Sequence, residues 1–401
     1  MQEILGGVCA PKGFKASGIA CGIKKNKQSD VALLVSEMPA AAAGIFTTNK
    51  VQAAPVLVSK QRLQKGTARA IIVNSGNANA CVGPDGMLSA EKMAAAAAKM
   101  LGIDEDSVLI ASTGVIGVPL PVEKIESGLA QNQGFLSASG GNEAARAIMT
   151  TDTFAKEVAV EFELAGVSVR IGGMAKGSGM IHPNMATMLG FLTSDVTIDQ
   201  QLLHKALQRA GELSFNRITV DGDTSTNDSL FILANGKAGN KKIATVDKDY
   251  QIFETALIHV CTGLAKMMAR DGEGATKFIE IKVSGAVSEV AAVQAGKSVA
   301  NSNLVKTAMF GEDANWGRIL AAVGYSGIDF DPQTTDVYLG GLLVCKGGTA
   351  VNFDETKAKQ ILSAKDILIT ICLSDKSQYE ATVWTCDLSY DYVKINGSYR
   401  S

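Results

Sequence analysis

Thr187 follows a small residue, Ala186, at a point where a Gly-rich turn gives way to an apolar run, Met188–Leu192. A hydroxyl at such a junction can attack the carbonyl carbon of the preceding residue and cut the chain. The new chain would begin with Thr187, whose free α-amine then lies beside its own hydroxyl and can activate it. An α-amino group has a pKa of about 7.7–8.0, near the pH at which a general base must work. The spacing alone leaves the ordinary interpretation open, in which Thr187 is a strand residue and the glycines only form a turn.

Three polar loops follow or separate predicted strands, and such loops commonly carry function. They are Asn74–Cys81, Ser112–Gly117 and Asp221–Asp228. Within the second loop, Thr113 and Gly114 predict an oxyanion-binding pair, because backbone N–H groups and a threonine hydroxyl can face developing negative charge. The glycine lets the backbone approach a ligand closely. The same residue types also form ordinary turns, and no Walker or GxGxxG pattern supports a phosphate site.

Metal and cofactor chemistry is not expected. The acidic loop Asp221–Asp228 lacks the spacing of an EF-hand, and the seven cysteines contain no CxxC pair. The cysteines are therefore predicted to be reduced thiols of a cytoplasmic protein. Only three histidines, His182, His204 and His259, are available to a Ser-His or Cys-His mechanism. The last two lie in predicted helices, where a structural role is the simpler interpretation.

The charge and hydropathy patterns argue against nucleic acid and membrane partners. The net charge is −2 and the pI is about 6.0. No run of 18 apolar residues occurs, and the N-terminus lacks the basic and apolar regions of a secretory signal. Small-molecule substrates are the expected partners.

Alternating strands and helices are predicted for the first two thirds of the chain. Apolar residues of one helix recur on a single face between Asp199 and Leu213. The predicted strands are Val31–Ser36, Ala70–Asn74, Leu109–Ala111, Glu157–Leu164, Val167–Ile171, Arg217–Val220 and Ser229–Ala234. The predicted helices are Met87–Leu101 with Ser89 as a cap, Pro121–Ala130, Asp199–Leu213 and Tyr250–Arg270.

The pattern changes near Thr276, where a domain boundary is predicted. Short strands with tight turns follow, interrupted by one helix, Glu355–Ala364. In Gly311–Ile319, Asp313 or Asn315 is suited to cap a helix. The strands predicted here are Phe278–Val283, Val337–Val344, Ile367–Leu373, Tyr379–Thr385 and Tyr392–Ile395.

Nine sequence blocks resemble one family, the glutamate N-acetyltransferases of arginine biosynthesis, also called ornithine acetyltransferases. They occur in order between Asn74 and Arg400, the residue before the last. The blocks are NSGNANA, STGVIG, MTTDT, MAKGSGMI, HPNMATML, FNRITVDGDTSTND, RDGEGATK, NWGRI and YVKINGSYR.

The resemblance implies a self-cleaving α/β enzyme. Cleavage between Ala186 and Thr187 would give two fragments that remain together as an α2β2 heterotetramer. The implied fold is an αββα sandwich similar to self-processing aminopeptidases, with a mixed α/β C-terminal domain. The implied division is residues 1–186 for the first chain, 187–276 for the part that completes the sandwich, and 277–401 for the C-terminal domain.

The resemblance also implies the reaction, a ping-pong transfer of acetyl from N-acetylornithine to glutamate through Thr187. Thr113 and Gly114 match the family's oxyanion-hole positions. Both amino acids carry an α-carboxylate, which suits a cation, and ornithine carries a side-chain ammonium, which suits an acid. The chain departs mildly from the family pattern at Cys81 and at its terminal serine, which still offers a hydroxyl and a carboxylate. The positions that match the family's substrate contacts are Thr150, Lys176, Thr187, Glu273, Asn396 and Ser401.

Two other functions remain open. The first is an N-terminal-threonine amidase or aminopeptidase, which would share the nucleophile and the oxyanion hole. The second is a Gly-rich small-molecule-binding protein, which would remain uncut. Some family members also use acetyl-CoA as a donor, and no residue of the sequence decides whether this chain does.

Overall fold

The computed structural model describes residues 1–132, 134–182 and 188–398, and these form two compact units. The first unit contains the described residues of 1–177, 183–216 and 223–268, and the second contains those of 178–182, 217–222 and 269–401.

The strands are β1 Gln2–Ile4, β2 Phe14–Ile19, β3 Val31–Phe46, β4 Thr67–Asn77, β5 Val108–Val115, β6 Lys156–Leu164, β7 Val167–Lys176, β8 Leu189–Ser194, β9 Ser229–Ala234, β10 Phe278–Ala286, β11 Asp336–Leu339, β12 Leu342–Lys346, β13 Thr349–Ala350, β14 Asp366–Cys372 and β15 Tyr379–Cys386. The α-helices are α1 Ala54–Arg62, α2 Pro84–Leu101, α3 Val122–Gln131, α4 Gly141–Ala147, α5 Gln200–Leu213, α6 Lys248–Arg270, α7 Glu289–Asn301, α8 Asn303–Phe310, α9 Trp316–Gly324, α10 Glu355–Leu362 and α11 Tyr390–Asn396.

Strands β1 to β9 form one hydrogen-bonded sheet that folds into two layers. The 16-residue strand β3 is shared between them: its first part, from Val31 to Val35, pairs with β2 and β4, and its last part, from Ala41 to Phe46, pairs with β9. An irregular register after Val35 marks the change. The first layer is therefore β2–β3–β4–β5, and the second is β3–β9–β8–β7–β6–β1.

Alternate residues of the first layer face two different cores, as the two-residue period of a strand requires. Leu34 and Ile71 lie in the core between the layers, together with Phe191 of β8 and with helix α4. Leu33 and Ile72 face the opposite way, into a core formed with helices α1, α2 and α3. The first layer is thus covered by helices on its outer face.

Helices α5 and α6 cover the outer face of the second layer. A Cβ atom on Gly173 of β7 would lie 2.9 Å from Leu264 and 3.1 Å from Val260 of α6, and one on Gly211 of α5 would lie 2.6 Å from Ile45 of β3. The order helix, sheet, sheet, helix confirms the predicted αββα sandwich. By length and composition α6 is also apolar enough to cross a membrane, and half of its most apolar window is buried inside the protein.

A six-stranded sheet forms the second unit, in the order β13–β12–β11–β14–β10–β15. Strands β10 and β14 are parallel, and the other neighbours are antiparallel. Helices α7, α8 and α9 share its core: Ala295, Met309 and Ile319 are buried with Ile281 and Val383 of the sheet. This is the predicted mixed α/β C-terminal part.

Most strands and helices predicted for the first two thirds of the chain are confirmed. The hairpin of Glu157–Leu164 and Val167–Ile171 is β6 and β7, and its turn places Ala165 and Gly166 at positive φ. Helix α2 begins at Pro84 rather than Met87, so Ser89 lies inside the helix and does not cap it. All seven cysteines are free thiols, as predicted.

Three predicted strands are wrong. Arg217–Val220 holds the end of a 3₁₀ turn and one isolated bridge, because only Ile218 pairs with β15. Val337–Val344 is a hairpin of two strands, because Gly340 and Gly341 adopt φ of 51° and 86° and form the turn.

The third, Tyr392–Ile395, lies in helix α11. Ser389 caps this helix by accepting a hydrogen bond from the N–H of Asp391. A short apolar run does not distinguish helix from strand, and the capping residue decides it here.

The expectation of a single helix after residue 277 is also wrong, since α7, α8, α9 and α11 lie there as well as α10. Their signal is local: Ser288, Ser302 and Asn315 each cap a helix with a side-chain oxygen. The capping role considered for Asn315 is therefore confirmed.

Candidate active site

Thr113 and Lys176 meet in the first unit. Thr113 lies near the end of β5, in the first layer, and Lys176 is the last residue of β7, in the second layer. The Nζ of Lys176 donates a hydrogen bond of 3.1 Å to the Oγ1 of Thr113. Lys176 is only 8% exposed, so its positive charge lies in a largely dry environment next to that hydroxyl.

Gly114 occupies a position that only glycine fits. Its φ is +132°, and a Cβ atom there would lie 2.3 Å from the carbonyl carbon of Gly76 and 2.4 Å from the nitrogen of Asn77. The pairing of β4 with β5 is irregular at this point, where Asn77 aligns with both Thr113 and Val115. The end of β5 therefore turns away from regular strand geometry at the two residues predicted to bind an oxyanion.

The three polar loops predicted from the sequence are joined by hydrogen bonds. The Nδ2 of Asn227 donates to the carbonyl oxygens of Ala78, at 2.6 Å, and of Ser112, at 2.8 Å. The Oγ of Ser112 donates to the Oδ1 of Asn74 at 2.6 Å, and the Nδ2 of Asn77 donates to Val118 and Pro119 carbonyls. These buried amides fix the strand end that carries Thr113 and Gly114.

Thr150 is tied to the end of β7 through a carboxylate that the sequence analysis does not predict, that of Asp152. The N–H of Thr150 donates to its Oδ2 at 3.0 Å, and the N–H of Gly177, next to Lys176, donates to its Oδ1 at 2.8 Å. The Nζ of Lys156 donates to Oδ1 at 2.7 Å, and both of these charged side chains are fully buried.

Positive charge outweighs burial at this carboxylate. Burial alone would raise the pKa of Asp152, but Lys176 and Lys156 hold it at about 2. A further lysine, Lys24, donates to the carbonyl of Ala147 at 3.4 Å. Burial lowers the pKa of Lys24, the nearby carboxylate of Asp30 opposes that shift, and the charge of Lys176 adds to it. Three lysines, Lys24, Lys156 and Lys176, thus lie near two carboxylates, those of Asp152 and Asp30, and the excess positive charge suits an anionic ligand.

Glu273 and Asn396 meet in the second unit. Glu273 is 6% exposed, its N–H donates to the carbonyl of Ser178 at 2.9 Å, and its Oε2 accepts a 2.8 Å hydrogen bond from the Nδ2 of Asn396. A Cβ atom on Gly179 would lie 2.2 Å from the carboxylate of Glu273, so only glycine fits there. The second glycine of the KGSG sequence, Gly179, is therefore required by packing as well as by the turn.

The chain ahead of the Ala186–Thr187 junction is held by one carboxylate of the second unit. The N–H groups of Met180 and Ile181 donate to Asp221 at 2.6 and 2.8 Å. The Nδ1 of His182 lies 3.2 Å from both Thr219 and Asn301. Burial lowers the pKa of His182, and the positive charge of Lys297 lowers it further.

The chain that follows the junction enters the first unit at β8. Met188 is buried, and its carbonyl accepts a hydrogen bond from the N–H of Ser229 at 3.1 Å. The next residue, Leu189, pairs with Lys176 of β7. Ala186, Thr187 and the terminal Ser401 lie outside the described residues.

The structure thus brings together the predicted site residues in two groups. Thr113 and Lys176 are in contact beside Gly114, and Asp152 links Thr150 to Gly177. Glu273 and Asn396 are in contact in the other unit. The buried acid and amides that hold the first group lie in the MTTDT, NSGNANA and DGDTSTND blocks, but nothing in their spacing separates them from ordinary turn residues.

The ArgJ family model matches residues 15–401, a range that contains all of these blocks. The chain belongs to the ArgJ family. It is 54% identical to the arginine biosynthesis bifunctional protein ArgJ of Symbiobacterium thermophilum, and the alignment covers 100% of both chains. It is 46% identical to the Bacillus subtilis protein of the same name, over 100% of this chain and 98% of that one.

A solved family structure also resembles this fold. It is the crystal structure of the arginine biosynthesis bifunctional protein argJ from Bacillus halodurans, which is 43% identical. The match covers 52% of this chain and 97% of that chain, with a TM-score of 0.50. The family predicted from the nine sequence blocks is confirmed, and the protein is an acyltransferase of arginine biosynthesis.

Proposed function

We propose that this enzyme cleaves itself between Ala186 and Thr187 and then transfers acetyl from N-acetylornithine to glutamate through an acetyl-Thr187 ester. The observation that carries this proposal is the contact between Lys176 and Thr113 beside Gly114. It joins a cation and a hydroxyl at a distorted strand end, and acyl transfer needs such groups to bind the substrate carboxylate and the oxyanion.

Self-cleavage would start with attack by the Thr187 Oγ on the carbonyl carbon of Ala186. The C–N bond breaks, the acyl group passes to oxygen, and water hydrolyses the ester to leave a carboxylate on Ala186 and a free amine on Thr187. A relative of the same family supports a division near the middle of the chain. The structural match covers 97% of the solved chain from Bacillus halodurans but only 52% of this chain.

The two fragments would remain associated because the sheet spans the cut. Strand β7 precedes the junction and β8 follows it, and residues Ile171–Lys176 pair with Leu189–Ser194 in an antiparallel ladder. The paired residues of both strands are buried, so cutting the connection leaves the ladder and the packing in place. The α2β2 assembly implied by the family is part of the proposal.

Acetyl transfer would use the new N-terminus. The Thr187 amine accepts the proton of its own hydroxyl, Oγ attacks the acetyl carbon, and ornithine leaves after its nitrogen is protonated. Lys176 donates to Thr113, so the hydroxyl proton of Thr113 is directed elsewhere and can be donated to the oxyanion. The N–H of Gly114 is the second donor. The amine of glutamate then attacks the ester and forms N-acetylglutamate.

The substrate charges match the charged residues that the family pattern selects. Lys176 binds the α-carboxylate, with the other lysines around Asp152 adding to the positive field. Glu273 binds the side-chain ammonium of ornithine. Thr150, Asn396 and Ser401 complete the substrate contacts.

A second activity is part of the proposal, because the relatives are named bifunctional proteins. We infer that acetyl-CoA also acetylates Thr187, so that glutamate can be acetylated without N-acetylornithine. Incubation of the pure enzyme with acetyl-CoA and glutamate tests this, and the absence of N-acetylglutamate would restrict the enzyme to acetyl recycling.

The main reaction is tested with N-acetylornithine alone and with added glutamate. We expect a burst of about one ornithine per active site without glutamate, followed by slow turnover. Glutamate should accelerate ornithine release, yield N-acetylglutamate and give parallel double-reciprocal plots. Rapid, steady release of acetate without glutamate would instead identify an N-terminal-threonine hydrolase.

A further inference from the structure

The carboxylate of Asp152 is a buried junction between two segments that carry predicted substrate contacts. Its Oδ2 accepts the N–H of Thr150 at 3.0 Å, and its Oδ1 accepts the N–H of Gly177 at 2.8 Å. Gly177 directly follows Lys176, and its φ of +156° is close to the limit of what other residues adopt. One side chain therefore fixes the backbone at Thr150 and at the end of β7.

The simplest alternative is that Asp152 only neutralises Lys156. The two residues are four positions apart in sequence, their side chains form an ion pair of 2.7 Å, and neither side chain is exposed. Such a pair would be destabilised by loss of either partner, because an uncompensated charge would remain buried. That role, however, needs only one of the two carboxylate oxygens, and both oxygens accept backbone N–H groups as well.

We propose that Asp152 is a positioning residue for acetyl transfer, whose two oxygens hold the backbone of Thr150 and Gly177 and thereby place Thr150 and Lys176 against the α-carboxylate of the bound amino acid. The inference rests on the proposed function. Asp152 does not touch the substrate; it acts through the segments that do. Its negative charge also offsets part of the positive charge of Lys156, Lys176 and Lys24.

Three variants separate positioning from charge balance. Lys156→Met removes the buried ammonium but leaves both oxygens of Asp152. The double variant Asp152→Asn with Lys156→Met removes both charges of the buried pair, so neither is left without a partner. One of the two backbone N–H groups then faces an amide NH₂ group instead of an oxygen. Asp152→Glu keeps both oxygens and shifts them by one methylene group.

The measurement is kcat/KM for N-acetylornithine and for p-nitrophenyl acetate, which carries no carboxylate. Positioning predicts that the double variant loses about tenfold or more on N-acetylornithine relative to Lys156→Met, since small displacements of binding groups are costly. Its rate of acetylation by p-nitrophenyl acetate should change by much less. Equal ratios of the two kcat/KM values in the double variant and in Lys156→Met would overturn the inference.

Thermal unfolding of each variant shows that the comparison is made on folded protein. If the double variant does not fold, Asp152→Glu decides: a larger loss on N-acetylornithine than on p-nitrophenyl acetate supports positioning, and an equal change on both overturns it. Failure of the proposed function is distinct, because the unsubstituted enzyme would then transfer no acetyl from N-acetylornithine to glutamate.

Discussion

The Nζ of Lys176 and the Oγ1 of Thr113 lie 3.1 Å apart, although their strands belong to different layers of the sandwich. The contact joins the first layer to the second. It also sets the direction of the Thr113 hydroxyl, because an oxygen that accepts from an ammonium group points its own proton elsewhere. The neighbouring positive charge makes that proton a better donor to a developing oxyanion.

Replacement of Thr113 tests this role. Thr113→Ala should lower kcat by roughly 10²–10³, with little change in KM, because the lost donor acts mainly on charge that develops in the transition state. Thr113→Ser is the matched control, since it keeps the hydroxyl and should retain most of the activity. An alanine variant with wild-type kcat would assign Thr113 a structural role only.

Replacement of Gly114 tests the backbone requirement beside it. Gly114→Ala would bring Cβ within 2.3 Å of the β4 backbone at a φ of +132°, so β4 and β5 must separate. We expect destabilisation on the order of 1–3 kcal/mol together with loss of turnover. Gly117→Ala is the control, because Gly117 also has positive φ, +79°, but a Cβ there would meet nothing within 4 Å. Similar losses from both variants would show that backbone strain alone is responsible.

Replacement of Thr187 tests processing. The wild-type chain should run as two bands on a denaturing gel, and mass spectrometry should distinguish the two fragments, which are similar in size. The second fragment should start with the sequence TMLGFL. Thr187→Ala should give one uncut band, because no hydroxyl remains to attack Ala186. Cleavage at the same bond in Thr187→Ala would rule out the proposed intramolecular attack.

Replacement of Glu273 tests recognition of the ornithine side chain. Glu273→Gln keeps the shape and an oxygen for Asn396 but removes the charge. The kcat/KM for N-acetylornithine should fall by roughly 10–100-fold, the usual value of a charge-assisted hydrogen bond. The kcat/KM for N-acetylnorvaline, which lacks the ammonium group, is the internal control and should change little. An equal fall for both donors would argue against a contact with the ammonium group.

How much of this site could be read from the sequence depends on the range of the interactions. The hairpin of β6 and β7 was predictable because its alternation and its Ala165–Gly166 turn are local signals. The polar blocks and the family resemblance predict that Thr113 and Lys176 belong to the site. Nothing local shows that they touch, because 63 positions separate them and their contact depends on the folding of one sheet into two layers.

The roles of Asp152 and Asn227 could not be predicted from the sequence either. Both lie in polar blocks that could be ordinary turns, and their importance comes from partners such as Gly177 and Ser112 that are distant in sequence. The opposite case is Tyr392–Ile395, where a short apolar run predicts a strand that the structure does not contain. A local cap, Ser389, makes it the helix that carries Asn396.

The buried Asp152 also predicts a pH dependence of stability. Its pKa falls from 3.8 to about 2 on folding, because Lys176 and Lys156 outweigh the effect of burial. A carboxylate with a depressed pKa stabilises the fold fully above its unfolded pKa, and this contribution is lost as the pH falls from about 4 to about 2. The greatest slope for one such group is about 1.4 kcal/mol per pH unit.

The double variant Asp152→Asn with Lys156→Met lacks this titration, while the other carboxylates are unchanged. The dependence of its unfolding free energy on pH should therefore be weaker than that of the wild type between about pH 4 and pH 2, and the two should run parallel above pH 5. Denaturant unfolding at a series of pH values measures both curves. Parallel curves throughout would mean that Asp152 titrates in the folded protein much as it does in the unfolded chain, and that the lysines around it do not hold its charge.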